Sequence, residues 1–345
     1  MESIYLNQDK KFYSIVNDYR FETVVINKAP TTYRVVDKPP IIFAAIEITD
    51  VCNLDCSYCF VDLNSKKKIE NRFEILTSFI KELHKNHGLL RLSITGGEPF
   101  ASKNIFPFLD LLKVLNIDFR IHSNGLLINS QTIEMLKQYP NLNEIEISID
   151  HPKDDSELYS NKKNSIPKRL KIIEELINNG IRVITSTVIT DKFIEFANEM
   201  MSVLENIGIS TWRLREQLYD SKAISHFTDY NSLVPILKEI SNKNSKMSIY
   251  GYLYDTLIKN DKYQKCKYTE EKYLLAKYNG NIQWMCGINL FAGNYFKDSA
   301  NEIAKRINEY PFEFPIPKRC PACAGKFTCV KSPFNKVELN IYERE

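Results

Sequence analysis

The chain reads as an α/β protein built on a parallel sheet, and two observations predict that class. From Ile41 to Arg215, six short apolar runs rich in β-branched residues alternate with five stretches whose apolar residues recur at helical spacing. The residues able to carry chemistry fall just after these runs, a cysteine triplet after the first and a glycine pair after the second. Parallel sheets, whether doubly wound or closed toward a barrel, hold their sites at those carboxyl strand ends.

Residues 1–40 precede the alternation and read as short strands and turns, with FETVVI and TYRVV extended and the rigid Pro39-Pro40 closing the segment. The segment is too short for a core of its own, so it is an extension, either an edge hairpin or a strand able to pair with a bound peptide. Residues 41–215 form the main domain. Its strands are expected at IIFAAIEIT, LLRLSIT, IDFRIHS, NEIEISI, IRVITSTVI and STWRLR. Its helices are expected at NRFEILTSFIKELHKN, NIFPFLDLLKVL, SQTIEMLKQY, IPKRLKIIEELINNG and KFIEFANEMMSVLENIG. Residues 216–260 read as a bridge with one helix, NSLVPILKEISN, and one strand, MSIYGYLY. In residues 261–345, Cys266 and Cys286 flank KYLLAKYNGNIQWM, a β-hairpin turning at Asn279-Gly280, and Cys320-x2-Cys323-x5-Cys329 follows a Pro-rich loop.

Composition narrows the function classes. The 345 residues carry 46 Lys+Arg against 43 Asp+Glu, a net charge of +3, which gives no footprint for nucleic acid; the run Lys66 to Lys68 is a solvated loop. The amino-terminal MESIYLNQDKKFYS has no apolar signal region and no stretch approaches a membrane span, so a cytoplasmic chain is expected. In that reducing setting, eight cysteines in clusters point to metal ligation rather than to disulfides.

The triplet Cys52, Cys56, Cys59 can put three thiolates on one cluster but offers no nearby fourth ligand. Structural zinc takes four protein ligands, so the triplet points to an iron-sulfur cube with one iron left open. The five later cysteines suit a second metal site, either iron-sulfur or a zinc ribbon. Other strand ends bring polar residues to the same rim: Ser123 and Asn124, Ser148 and Asp150, Thr187, Arg213 and Arg215. Each has an ordinary reading beside the functional one, since Ser-Asn-Gly is turn chemistry, Asp150 can cap locally, and a strand-end arginine is often structural.

Cys-x3-Cys-x2-Cys with Tyr58 before the last cysteine, followed by Gly96-Gly97-Glu98-Pro99, resembles the radical S-adenosylmethionine (SAM) superfamily. The resemblance implies a partial (β/α)6 TIM-type barrel and a 4Fe-4S cluster on Cys52, Cys56 and Cys59. It also implies reductive cleavage of SAM to a 5'-deoxyadenosyl radical that abstracts hydrogen from a substrate. It places Tyr58 beside the adenine and Gly96, Gly97 and Glu98 at the methionyl amino group, with Ser123, Asn124 and Ser148 as polar contacts to ribose and methionyl carboxylate; Arg213 or Arg215 at the sixth strand can pair with a carboxylate of cofactor or substrate, and Arg213 is taken as the cofactor contact. Asp150 resembles the aspartate of a Ser-Ile-Asp-Gly run, although His151 stands where relatives have glycine.

The carboxy-terminal cysteines resemble the SPASM and twitch extensions, which carry auxiliary 4Fe-4S clusters in peptide-modifying relatives. Full SPASM domains use seven cysteines and the carboxy-terminal segment here has five. Cys266, Cys286, Cys320 and Cys323 would hold one auxiliary cluster and leave Cys329 as a thiol able to donate hydrogen; alternatively Cys329 is a ligand and another of the five is free. The implied substrate is a ribosomally made precursor peptide, epimerised, cross-linked or oxidised, with flavodoxin or ferredoxin as reductant and with Asp150 and Cys329 as catalytic candidates. A small-molecule dehydrogenase is the second reading, and a zinc-binding interaction module, which would leave SAM uncleaved, is the third.

Overall fold

The computed structural model describes residues 4–6, 12–14, 41, 43–56, 58–63, 70–153, 165–190, 192–215, 230–243, 245–251, 254, 258, 273–284 and 291–309. The segments FETVVI and TYRVV and the cysteines Cys266, Cys286, Cys320, Cys323 and Cys329 lie outside the described residues.

A two-stranded antiparallel hairpin, β1 (Ile4–Leu6) and β2 (Phe12–Ser14), comes first. Six parallel strands then follow, β3 (Phe43–Thr49), β4 (Arg91–Gly96), β5 (Asp118–Ser123), β6 (Leu142–Ser148), β7 (Val183–Val188) and β8 (Thr211–Arg215), each beside the next in chain order. The intervening helices are α1 (Arg72–His87), α2 (Ile105–Val114), α3 (Ser130–Leu136), α4 (Ser165–Asn178) and α5 (Phe193–Asn206). This is the expected alternation, element for element.

Strand alternation divides the side chains cleanly. Ile46, Ile94, Ile121, Ile145 and Trp212 turn outward and are buried under the helices, whose own apolar stripes (Leu76, Ile80 and Leu83 on α1; Phe108, Leu109 and Leu112 on α2) complete one continuous core. The opposite face carries Arg120, His122, Glu144, Glu146, Arg213 and Arg215 and is polar. Helix ends are marked as helix chemistry requires: Asn129 accepts from the Thr132 amide ahead of α3, and Gly88 closes α1 with φ +70°, a left-handed position that an L side chain adopts at a cost.

Both edges of the six-strand unit are extended. After α6 (Val234–Asn242), β9 (Ser248–Tyr250) adds in parallel to β8. At the other side β10 (Tyr273–Ala276) adds in parallel to β3, and β11 (Asn281–Trp284) and β12 (Phe291–Asn294) continue the sheet in antiparallel fashion. The hairpin expected at Asn279-Gly280 is present, closed by the Gly280 amide on Lys277 O at 3.0 Å, with Gly280 at φ +91°. Its docking against β3, the strand that leads into the cysteine loop, was not foreseen. A last helix, α7 (Ala300–Glu309), packs on α1, where His87 Nε2 meets Asn301 Oδ1 at 2.9 Å. Among the described residues no helix is long and apolar enough to cross a membrane.

Candidate functional site

The carboxyl ends of β3 and β4 are locked together by backbone. Gly97 N donates to Thr49 O and Glu98 N to Val51 O, both at 2.8 Å, so the Gly96-Gly97-Glu98 segment runs directly against the start of the cysteine loop. A β-carbon on Gly97 would lie 2.2 Å from Val51 O, and one on Gly96, at φ +124°, 2.3 Å from Thr49 O. These glycines therefore admit the backbone of the cysteine loop itself.

Glu98 is fully buried and organises the rim. Its Oε1 accepts from Ser123 Oγ at 2.7 Å and from Phe100 N at 3.2 Å, and its Oε2 accepts from Asn124 N at 2.7 Å. Burial pushes its carboxyl up to about 6, against the pull of those donors. Asn124 in turn donates through Nδ2 to Asn53 Oδ1 at 2.8 Å, holding the residue that follows Cys52. Ser123 and Asn124, expected as ligand contacts, tie β5 to Glu98 and to the cysteine loop.

Among the described residues Cys52, Cys56 and Cys59 are in no disulfide, and all three are partly exposed in this loop, with Cys59 N donating to Cys56 O at 3.1 Å and Leu54 N to Cys52 Sγ at 3.4 Å. Among the described residues no three His, Cys, Asp or Glu side chains converge on a point that would take a single metal ion. Three separate thiols on one short loop instead suit a cluster that takes one thiolate per iron. Burial raises the Cys52 thiol and pushes Cys56 up to about 12, so these groups become thiolates only against a metal's positive charge.

The far side of the loop rests on β6. Tyr58 donates its hydroxyl to Asp150 Oδ2, and Asp150 Oδ1 accepts from Val188 N at 2.8 Å. Burial raises Asp150, opposed by the Tyr58 and Val188 donors and by the Arg169 and Arg215 charges. Arg169, on α4, is 3% exposed and donates Nη1 to Ser148 O at 2.9 Å, while its Nε has no partner among the described residues. Its charge also acts on Cys56, Tyr58 and Glu98, in each case against the dominant rise from burial. Sequence reasoning missed this arginine because it sits mid-helix, where IPKRLKIIEELINNG reads as a solvated basic position. Its burial depends on α4 crossing the end of β6.

Two buried donors beside the cysteine loop, Arg169 Nε and Asn53 Nδ2, thus have no partner among the described residues. A buried donor left unsatisfied costs on the order of 1–3 kcal/mol, which a bound carboxylate or hydroxyl would recover. The site residues present fit a carboxylate-bearing cofactor next to an iron-sulfur cluster. Arg213, expected as a cofactor contact, lies deeper on the polar face, with Nη1 on Glu146 Oε2 at 3.2 Å.

A parallel β/α unit with a three-cysteine loop and a glycine-packed rim at its strand ends has the layout of a cluster-bearing partial barrel. Residues 46–201 match the model of the Radical SAM superfamily. The sporulation killing factor maturation protein SkfB of Bacillus subtilis is 24% identical over 207 residues, covering 59% of this chain and 50% of SkfB. GTP 3',8-cyclase of Helicobacter pylori is 27% identical over 183 residues, covering 50% of this chain and 52% of the cyclase. The chain thus spans about half the length of these two curated relatives. Streptococcus suis SuiB bound to its precursor peptide SuiA superposes with a TM-score of 0.64 at 17% identity, covering 79% of this chain and 66% of SuiB, which bears out the partial TIM-type barrel.

Proposed function

We propose that this chain cleaves SAM reductively and modifies a ribosomally made precursor peptide. The observation that carries the radical reading is three cysteines outside any disulfide on one short loop, beside two buried donors without a partner among the described residues. The peptide half rests on similarity to SkfB, a maturation protein, and to SuiB, solved with a precursor peptide. When bound, a reduced 4Fe-4S cluster and SAM supply a 5'-deoxyadenosyl radical that takes a hydrogen atom from the substrate.

The chain's own residues hold and shelter that chemistry. Cys52, Cys56 and Cys59 would ligate the cluster. Arg169 Nε and Asn53 Nδ2 would donate to the methionyl carboxylate or the ribose, with Ser148, Ser123 and Asn124 forming the surrounding rim. Glu98 and Asp150 act through others: Glu98 fixes Ser123, Asn124 and the loop, and Asp150 fixes Tyr58 and with it the segment between Cys56 and Cys59. Asp150, first placed among catalytic candidates, is therefore read as a positioning residue. An auxiliary 4Fe-4S cluster on Cys266, Cys286, Cys320 and Cys323, with Cys329 as hydrogen donor and flavodoxin or ferredoxin as reductant, completes the reading.

The test is iron, sulfide and zinc per chain after anaerobic reconstitution, for the wild type and for a Cys52, Cys56 and Cys59 to Ala variant. About eight irons falling to about four is the expected result for two four-iron clusters. No iron in either protein, and no deoxyadenosine from SAM, would sink the radical reading. Similarity to GTP 3',8-cyclase favours a second reading with a small-molecule substrate. Incubation with synthetic precursor peptides, scored for mass shift or deuterium uptake, separates the two.

A further inference from the structure

The cysteine loop leaves the sheet at the end of β3, and the chain returns to regular structure at the start of α1, so the loop's geometry depends on how those two feet are held. Arg72, the first residue of α1 and 7% exposed, spans them: Nη1 donates to Ile48 O at 3.1 Å and Nη2 to Glu47 O. Its Nε donates to Tyr278 O at 2.9 Å, and its guanidinium lies 3.9 Å from the Tyr278 ring. One buried side chain thus ties both feet to the turn between β10 and β11. All of these acceptors are backbone carbonyls, so the planar fork acts as a joint between chain segments.

Glu47 makes the reciprocal contact. The β3–β10 register ends with Ala276 opposite Ile46, and just beyond it Glu47 Oε2 accepts from Tyr278 N at 2.9 Å. Glu47 is 2% exposed, and its Oε1 has no partner among the described residues. Burial raises its carboxyl; Lys277, also 2% exposed, is the chief opposing charge and Arg72 a lesser one, while Asp62 adds to the rise. A carboxyl enclosed for a single hydrogen bond adds little to stability on its own account. What the contact does is fix the turn against the strand. On its other side the same strand end is fixed to β4, through Gly97 N on Thr49 O and Glu98 N on Val51 O. The foot of the loop is held from two sides, and one of them is the carboxy-terminal hairpin.

We propose that Arg72 and Glu47 are positioning residues for the candidate cluster: they clamp the neck of the cysteine loop to the β10–β11 turn, so that the arrangement of Cys52, Cys56 and Cys59 depends on the carboxy-terminal hairpin. A loop whose feet are pinned has less freedom to lose when three thiolates close on one cluster. The proposal rests on the cluster reading of the preceding section. Half of its test is made on the iron-free chain, so its failure and the failure of that reading are separable.

Hydrogen exchange of the iron-free chain, and the rate of iron loss to a chelator from the reconstituted chain, would be compared for wild type, Arg72→Gln, Glu47→Ala, Glu47→Gln and Leu112→Ala. The last is a core change on α2 that destabilises the fold away from the loop. In Arg72→Gln and Glu47→Ala, amides of residues 50–56 and 278–280 should exchange about tenfold faster than in wild type, and iron should leave about tenfold faster, as expected for one lost hydrogen bond to a charged group. Glu47→Gln keeps an oxygen for the Tyr278 amide and should match wild type in both. Leu112→Ala should leave both readouts within about twofold of wild type, since local opening of the loop does not pass through α2. Unchanged exchange at 50–56 in Arg72→Gln and Glu47→Ala would overturn the clamp, and a Leu112→Ala effect of equal size would reduce it to general stability. Faster exchange with unchanged iron loss would overturn the positioning role. A wild-type chain that takes up no iron fails the cluster reading and the proposal with it; iron uptake with unchanged exchange fails the clamp alone.

Discussion

At the scale of single residues, the site depends on side chains that are absent as much as on those present. Gly97→Ala forces a β-carbon to within 2.2 Å of Val51 O, so either the loop or β4 must shift. We expect a loss of about 2–4 kcal/mol in denaturant unfolding and a matching drop in iron retained after desalting. Arg169→Gln removes a buried charge together with its own unsatisfied donor, Nε. Binding of SAM to the reconstituted protein, measured by calorimetry, should weaken roughly tenfold to a hundredfold while iron content is unchanged, since one charged hydrogen bond contributes about 1.5–3 kcal/mol. Asp118 gives a pH prediction away from the site. Burial pushes its carboxyl from 3.8 up to about 6, with Arg91 and Asn143 opposing the rise. Between those values the folded chain keeps a proton that the unfolded chain releases, so this contribution to stability is present below about pH 4 and is lost as pH rises through 6. Asp118→Asn should unfold like wild type at pH 4 and be about 1–2 kcal/mol more stable at pH 7.5. A gap of the same size at both pH values would contradict the assignment.

Among elements, the six strands and five helices were legible because each carries a period, 2 or 3.6, written into its apolar residues. What the sequence left unreadable are contacts between elements far apart in the chain. Arg72, at the start of α1, is one such case: it donates to the carbonyls of Glu47 and Ile48 on β3 and of Tyr278 in the β10–β11 turn, and its guanidinium stacks 3.9 Å from the Tyr278 ring. No local pattern distinguishes it from a solvated arginine. Arg72→Ala should cost about 3 kcal/mol in chemical denaturation, because three buried carbonyls lose their donor. Arg169 escaped in the same way, its role being fixed by the helix that crosses the end of β6, and so did the pairing of Arg213 and Arg215, both visible in the sequence, with Glu146 on β6. The candidate cysteine triplet and the glycine pair, by contrast, were visible because their partners lie within one β/α unit or its neighbour.

For the whole molecule, the described sheet is one continuous ten-stranded surface in which β3 occupies an interior position between β10 and β4. The pairing of Tyr273 with Phe43 and of Ala276 with Ile46 joins segments some 230 residues apart. During synthesis β3 gains its neighbour β4 early but must wait for most of the chain before its other edge is covered. The strand that bears the cysteine loop is therefore among the last to be finished, and long-range pairing of this kind is slow and exposes an adhesive edge in the interval. Assembly of the cluster on a nascent chain would then precede closure of the sheet, so the order in which iron and the carboxy-terminal strands arrive becomes part of how the enzyme is made.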